Sequence, residues 1–429
     1  MSNPILKDLD ELLSQRVITD DEANRIRNYY NQKPQPENNR LVIVFGILGS
    51  LLVGMGLVLI IAHNWDVLPK PVKLAVALLP LFIGQVICGY LLWKKSTSVA
   101  WREGVSVFVV FAVATAIAIV SQVYNIEGNF ANFLFVWMLL CFPLMYVMRS
   151  SAASLLFWIG ITWYACEDGY FHSYSDIPYK YWILALAATP WYGQLCTKMS
   201  NSNFTYVHHW IVAGSVIITL GTFADHSEEL LIPAYMFLFG ILVLIGQLPM
   251  FSAQRLLTNA HLILGSLGVV TLLLMLSFDW YWVEIERRDV TDWIFSTEAI
   301  VCVALIVLAV ILFLRLLKTT RATELLSKSY VIPVFIVLFM IGNVEPYGAQ
   351  ILTNVFILVL AVYTIREGAR ADHLGRMNYG LMILTLLIIC RFFDTDLSFV
   401  IRGLLFVAVG LGFFGMNYRM VKKRKERNT

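Results

Sequence analysis

Charged residues are scarce in this chain. Lys, Arg, Asp and Glu account for only 14% of its 429 residues, whereas 59% are hydrophobic and the mean hydropathy is +0.71. A soluble domain usually carries roughly 25% charged residues. A soluble fold of this length would lack the polar side chains to cover its surface. The composition therefore excludes a wholly water-soluble protein and indicates lipid as the main solvent.

The sequence motifs of common enzyme chemistries are also missing. The chain has no Walker loop, no GxSxG, no HExxH and no CxxC, and its six cysteines lie in or beside apolar segments, where they suit small buried hydrophobes. Residues 410–415 match the GxGxxG string, but they lie inside an apolar segment with no preceding strand. We therefore predict no enzymatic activity, no cofactor and no metal.

Long apolar segments are the dominant feature that is present. A helix needs about 20 apolar residues to cross a bilayer, and fourteen segments approach or exceed that length. The sequence predicts an all-α polytopic transmembrane helix bundle of about 14 spans (range 12–14), of which 152–166 and 330–343 are short enough to be re-entrant or buried half-helices. The predicted spans are 41–62, 74–93, 104–121, 131–148, 152–166, 181–196, 207–222, 230–248, 257–278, 293–315, 330–343, 349–365, 377–391 and 398–418.

The distribution of basic residues predicts the orientation. If the N-terminus is cytoplasmic and fourteen spans alternate, 25 of the 32 Lys and Arg residues face the cytoplasm and seven face the outer side. This bias places both chain ends inside, including a basic tail at 419–429 that follows the bundle at 41–418. Anionic lipid headgroups are the partners that such a surface predicts, and no nucleic-acid partner is expected.

Residues 1–40 are the only substantial polar segment. They predict a cytoplasmic helical hairpin, whose second helix begins with a capping box from Thr19 to Glu22. About 40 residues bury little core alone, so the hairpin would dock on inner loops, on a second copy or on a protein partner; the alternative is a passive N-terminal cap. Apolar positions share one face in each helix: Ile5, Leu9, Leu12 and Leu13 in the first, and Ala23, Ile26 and Tyr30 in the second.

This head and the segments after it resemble the bacterial predicted membrane proteins grouped as domain of unknown function 2157. The resemblance implies a multi-pass protein of the bacterial inner membrane. That family carries no established activity, so it implies no catalytic residues. The residues that carry the resemblance are Leu12–Thr19 with Ala23 and Ile26, the glycines Gly46, Gly49, Gly54 and Gly56, the runs His63–Asp66 and Gln122–Gly128, and the final span from Arg402 to Asn417.

Polar side chains inside or beside the spans are the candidate site residues. Charged groups in lipid tend to face protein or water. One interpretation is a polar vestibule toward the outer leaflet, in which two arginines attract an anionic headgroup or substrate and Glu298 is their counter-ion. The other is that these groups form structural ion pairs or extend to the interface. The candidates are Glu298, Arg391, Asp394, Arg402, Gln122, Tyr124, Gln350 and Asn354, with Asn343 at the same level.

Histidines and small residues form two further patterns. His208, His209 and His261 lie near span ends, and no ligand set completes a metal site, so we expect interfacial histidines. Small residues recur along the first span and predict close helix packing. These packing residues are Gly46, Gly49, Ser50 and Gly54.

Three classes of function fit these patterns. The first is a non-enzymatic envelope scaffold or sensor that uses its head as the contact. The second is a secondary transporter or lipid flippase with a polar vestibule. The third is a membrane enzyme acting on lipid-linked substrates, although the outer loops are short for that purpose. The first is our prediction.

Overall fold

In a computed structural model the protein is helical, and the described residues contain no strand. The structure describes residues 17–32, 40–63, 69–94, 98–171, 177–224, 228–252, 256–286, 296–318 and 331–394, with isolated positions at 9–15 and 400–418. The predicted fold class is confirmed. Of the fourteen predicted spans, the first thirteen coincide with helices, and the last, 398–418, lies outside the continuously described ranges.

The described helices cover most of the chain. In chain order they are α1 Asp20–Gln32, α2 Arg40–His63, α3 Lys70–Trp93, α4 Val99–Tyr124, α5 Phe130–Val147, α6 Ser151–Gly169, α7 Tyr179–Lys198, α8 Asn203–Leu220, α9 Leu231–Gly246, α10 Pro249–Ser252, α11 Ala260–Leu276, α12 Trp280–Glu286, α13 Thr297–Leu317, α14 Val331–Gly342, α15 Pro346–Arg370 and α16 Leu374–Asp394.

Seven of these helices are long and apolar enough to cross a membrane: α3, α4, α5, α8, α13, α15 and α16. The apolar stretches in α2, α9, α11 and α14 are shorter. At 1.5 Å per residue, the 12 residues of α14 reach only about 18 Å, less than a hydrocarbon core of about 30 Å. The total of fourteen crossings stays a prediction.

The surface of α13 shows why these helices need lipid. Large apolar side chains including Ile300, Val303, Val307 and Ile311 are each more than half exposed. A stripe of this kind is unstable in water, because exposed apolar area is costly, but it matches hydrocarbon chains. Similar exposed rows run along α2 and α15.

The chain divides into two compact units. The first comprises Met1–Gly128 and Leu139–Leu156, and the second comprises Asn129–Met138 and Phe157–Thr429. In the first unit, α2 and α3 both pack on α4. In the second, α9 packs against α11 and α13 and is apolar all round, with 11 of its 16 residues buried. A helix of that composition belongs in the middle of a bundle.

The head contains the predicted capping box. The Thr19 backbone N–H donates to the Glu22 carboxylate at 2.9 Å, and the Glu22 N–H donates to Thr19 Oγ1 at 3.4 Å, so two N–H groups at the start of α1 are satisfied. Leu9 and Ala23 are buried. The first helix of the predicted hairpin lies largely outside the described residues, so the hairpin itself stays a prediction.

Candidate functional site

Two of the predicted site residues meet at the C-terminal end of α11. Asn354, on α15, donates from Nδ2 to the backbone oxygen of Ser277 at 2.9 Å. Arg391, on α16, donates from Nη2 to Ser277 Oγ at 3.3 Å. Ser277 follows the last residue of α11, and sequence reasoning had not selected it. Three helices therefore converge on one serine, and we call Ser277, Phe278, Asn354 and Arg391 the Ser277 cluster.

The position of Arg391 suits a cation at the end of a helix. Its guanidinium carbon lies 4.6 Å from the centre of the Phe278 ring, a cation–π contact. The C-terminal end of a helix carries partial negative charge and unsatisfied carbonyls. Trp282 Nε1 satisfies the Leu276 carbonyl at 2.8 Å, and Asn354 satisfies that of Ser277. These contacts favour the structural interpretation of Arg391 and Asn354, because each completes the end of α11.

The remaining predicted site residues are placed separately. Glu298 is fully buried in the first turn of α13, where a carboxylate is favoured by the helix dipole. Gln350 lies one turn before Asn354, and its backbone oxygen accepts a hydrogen bond from Asn354 Nδ2 at 2.8 Å. Gln122 and Tyr124 are exposed at the end of α4, in the other unit. The Asp394 side chain and Arg402 lie outside the described residues.

The small residues of α2 differ in their surroundings. A Cβ added at Gly54 would lie 3.3 Å from the Phe111 side chain, and one added at Gly104 would lie 3.3 Å from Ser50 Oγ and 3.4 Å from Gly46 O. Gly46, Ser50 and Gly54 therefore line the contact with α4. A Cβ at Gly49 would meet nothing within 4 Å, so Gly49 lies off that contact.

The three histidines are buried among protein side chains, whereas the sequence led us to expect them at an interface. His208 and His209 are fully buried and His261 is 4% exposed. Tyr192 on α7 joins two of them, with its hydroxyl 2.6 Å from His209 Nδ1 and 3.3 Å from His261 Nε2. His208 Nδ1 bonds instead to the Phe204 carbonyl at 2.7 Å. The histidines are buried because the end of α7 packs against the starts of α8 and α11.

We searched the described part of the chain for side chains that could bind a metal ion together. No group of three or more His, Cys, Asp or Glu side chains is placed to hold an ion there. Stable metal sites usually need three or four such ligands. His209 and His261 are therefore considered below for their hydrogen bonds.

Comparison with known proteins identifies the N-terminal third of the chain. Residues 10–154 match the family described as Predicted membrane protein (DUF2157). The resemblance stated from the sequence is thereby confirmed over these residues. No curated protein matches the chain, and no solved structure does. The matched region ends within two residues of Leu156, where the first compact unit also ends.

Proposed function

We propose that this protein is a non-enzymatic scaffold or sensor of the bacterial inner membrane, and that its N-terminal head is the contact. The observation that carries the proposal is that the family match begins in the head and ends within two residues of the end of the first compact unit. That unit joins the head to the first membrane helices in one folded body. As a sensor, such a head would change the arrangement of the membrane helices when it binds a partner. As a scaffold, it would hold the partner next to the membrane.

The head has the surface that a contact requires. Leu9 and Ala23 are buried, so part of the head is packed. Val17 is 66% exposed, and Leu12 is also exposed. An exposed apolar pair outside the apolar helices is costly in water and suits a protein contact. The proposed occupant is a second copy of this chain or another protein at the cytoplasmic face, where the basic ends are expected.

Photocrosslinking in living cells tests this proposal. A photoreactive amino acid replaces Val17 in the full chain, and a matched variant carries it at Asn28, which is exposed on α1 and polar. The proposal expects a crosslinked product from Val17 and little from Asn28. A product near twice the 48.7 kDa of one chain indicates self-association, and any other mass indicates a different partner. Absence of a product at both Val17 and Leu12 would contradict the proposal.

A second candidate, a transporter or lipid flippase, rests on one cation of the Ser277 cluster. Arg391 is partly exposed beside the end of α11, and its charge is the feature that an anionic headgroup would need. Native mass spectrometry with phosphatidylglycerol and with a zwitterionic lipid tests this candidate. If the candidate is right, the anionic lipid is retained selectively, and Arg391→Gln loses this retention. Arg376→Gln, a matched change at an exposed site on the same helix, keeps it. Equal retention of both lipids would exclude it.

A further inference from the structure

The hydroxyl of Tyr192 lies between two buried imidazoles from different helices. It is 2.6 Å from Nδ1 of His209 on α8 and 3.3 Å from Nε2 of His261 on α11. Phe251, in α10, covers both rings, with centroid distances of 4.9 Å to His209 and 4.7 Å to His261. The three polar groups therefore form one hydrogen-bonded chain in an apolar enclosure, His261–Tyr192–His209.

The outer nitrogens of this chain are buried and have no hydrogen-bond partner in the described part of the protein. They are Nε2 of His209 and Nδ1 of His261. A neutral imidazole has one N–H donor and one acceptor nitrogen, and a tyrosine hydroxyl donates one proton while its oxygen accepts. The tautomer of each ring therefore decides the direction of both hydrogen bonds.

Two neutral arrangements satisfy the chain. In the first, both histidines carry their proton on Nε2: His261 donates to the tyrosine oxygen, and the tyrosine donates to His209. In the second, both carry it on Nδ1: His209 donates to the tyrosine oxygen, and the tyrosine donates to His261. Either arrangement leaves one outer nitrogen protonated and the other bare.

We propose that His261, Tyr192 and His209 form a proton relay. A hydronium ion gives a proton to Nδ1 of His261, the Nε2 proton of His261 moves to the Tyr192 oxygen, the tyrosine proton moves to Nδ1 of His209, and the Nε2 proton of His209 passes to a water molecule. One N–H bond forms at the entry and one breaks at the exit. The chain begins and ends neutral, and the transfer converts the first arrangement into the second.

A proton suits this site better than a metal ion. The hydrogen-bonded chain His261–Tyr192–His209 has two imidazoles. Among the described residues, no third His, Cys, Asp or Glu completes a ligand set with them. A lasting charge would also be costly in an apolar enclosure, whereas a relay that starts and ends neutral avoids that cost. Among the described residues, the other titratable side chains beside it include Cys196, which bonds to the Tyr192 hydroxyl, and Tyr206 and His208 on α8.

The relay predicts that the two histidines change tautomer together. The full chain, labelled with ¹⁵N-histidine and reconstituted in lipid vesicles, is measured by solid-state NMR, in which protonated and bare ring nitrogens differ in chemical shift. We expect His209 and His261 to carry the same tautomer at any moment and to exchange between the two tautomers in step. His208 is an internal standard: its Nδ1 faces a carbonyl, which only accepts, so it should stay protonated at Nδ1. His209→Gln and His261→Gln assign the signals.

Tyr192→Phe should abolish the coupled exchange, because it removes only the linking hydroxyl. Tyr181→Phe is the matched control, since the Tyr181 hydroxyl, on the same helix, bonds to Ser215 Oγ. Opposite tautomers at His209 and His261 would overturn the proposal, because the tyrosine would then either accept from both rings or face two bare nitrogens with a single proton to donate. A fixed tautomer without exchange, or exchange that survives Tyr192→Phe, would overturn it as well. The wild-type measurement decides the first two outcomes even if Tyr192→Phe fails to fold.

Discussion

The carboxylate of Glu103 accepts a hydrogen bond from the Ser150 hydroxyl at 2.5 Å and thereby ties α4 to the start of α6. The same carboxylate accepts from the backbone N–H groups of Ser151 at 2.9 Å and Ala152 at 2.8 Å. Glu103 is only 2% exposed. The first N–H groups of a helix lack intrahelical partners and attract negative charge. Glu103 thus caps a helix to which it does not belong.

Removing this charge should destabilise the first unit. Glu103→Gln keeps the size of the side chain, but it replaces one acceptor oxygen with an NH₂ group that faces N–H donors. We expect a loss of about 2 kcal/mol in the free energy of unfolding, since hydrogen bonds to charged groups contribute about 1.5–3 kcal/mol. Denaturation of the purified protein in detergent measures it. Glu127→Gln, at an exposed position of the same unit, should change little, and equal stability of the two variants would refute the capping role.

The packing of α2 on α4 predicts opposite outcomes for two glycines of one helix. Gly54→Leu must displace Phe111, because a Cβ alone would already lie 3.3 Å from that side chain. Overpacking of this kind costs about 1–3 kcal/mol. Gly49→Leu enters open space and should be neutral or slightly stabilising, because leucine favours helix more than glycine does. Unfolding in detergent compares the two variants, and equal losses would show that the contact does not depend on small residues at Gly54.

The capping box makes the start of α1 sensitive to acid. Hydrogen bonds from the Thr19 backbone and hydroxyl, and then the charge of Arg25, hold the pKa of Glu22 below its ordinary value of 4.5. Because the folded pKa is lowered, the stabilisation is fully present above about pH 4.5 and is lost as the pH falls through the folded pKa. Hydrogen exchange of the amides at Thr19 and Glu22 in the full chain should therefore show weakening protection below that pH.

Glu22→Gln is the matched test of this acid dependence. The amide still accepts a hydrogen bond but does not titrate, so its protection should vary less with pH. Asp21→Asn removes a neighbouring charge outside the capping box and should keep the wild-type dependence. An acid response that persists unchanged in Glu22→Gln would assign the effect to another group.

Helix positions were predictable because they depend on local sequence. Segments such as 104–121 and 207–222 are apolar enough to identify a helix. α4 contains the first segment, and α8 covers the second as far as Leu220. The helix face that meets protein was not predictable in the same way. Lipid and protein interiors are both apolar, so hydrophobic residues surround these helices and periodicity does not separate the two faces. Gly49 and Gly54 illustrate this limit, because both look like packing residues in sequence and only Gly54 packs.

The candidate sites show the same limit for polar residues. Asn354 and Arg391 could be selected from sequence because polar groups are rare in these helices, yet their common partner Ser277 could not, because serine is frequent and its role depends on where α11 ends. Adjacent histidines do point in different directions from one helix, as expected. That argument could not foresee that α7 and α11 place Tyr192 and His261 against His209.

Two asparagines provide a last test of the Ser277 cluster. Asn354 reaches from α15 to the Ser277 carbonyl on another segment, whereas Asn343 donates to the Phe339 carbonyl within its own helical turn. Asn354→Leu leaves a carbonyl at the end of α11 without this donor, at an expected cost of about 1–3 kcal/mol. Asn343→Leu removes only a local bond and should cost less. Denaturation of both variants in the same detergent measures the difference, and a larger loss for Asn343→Leu would mean that Asn354 does not hold α15 against the end of α11.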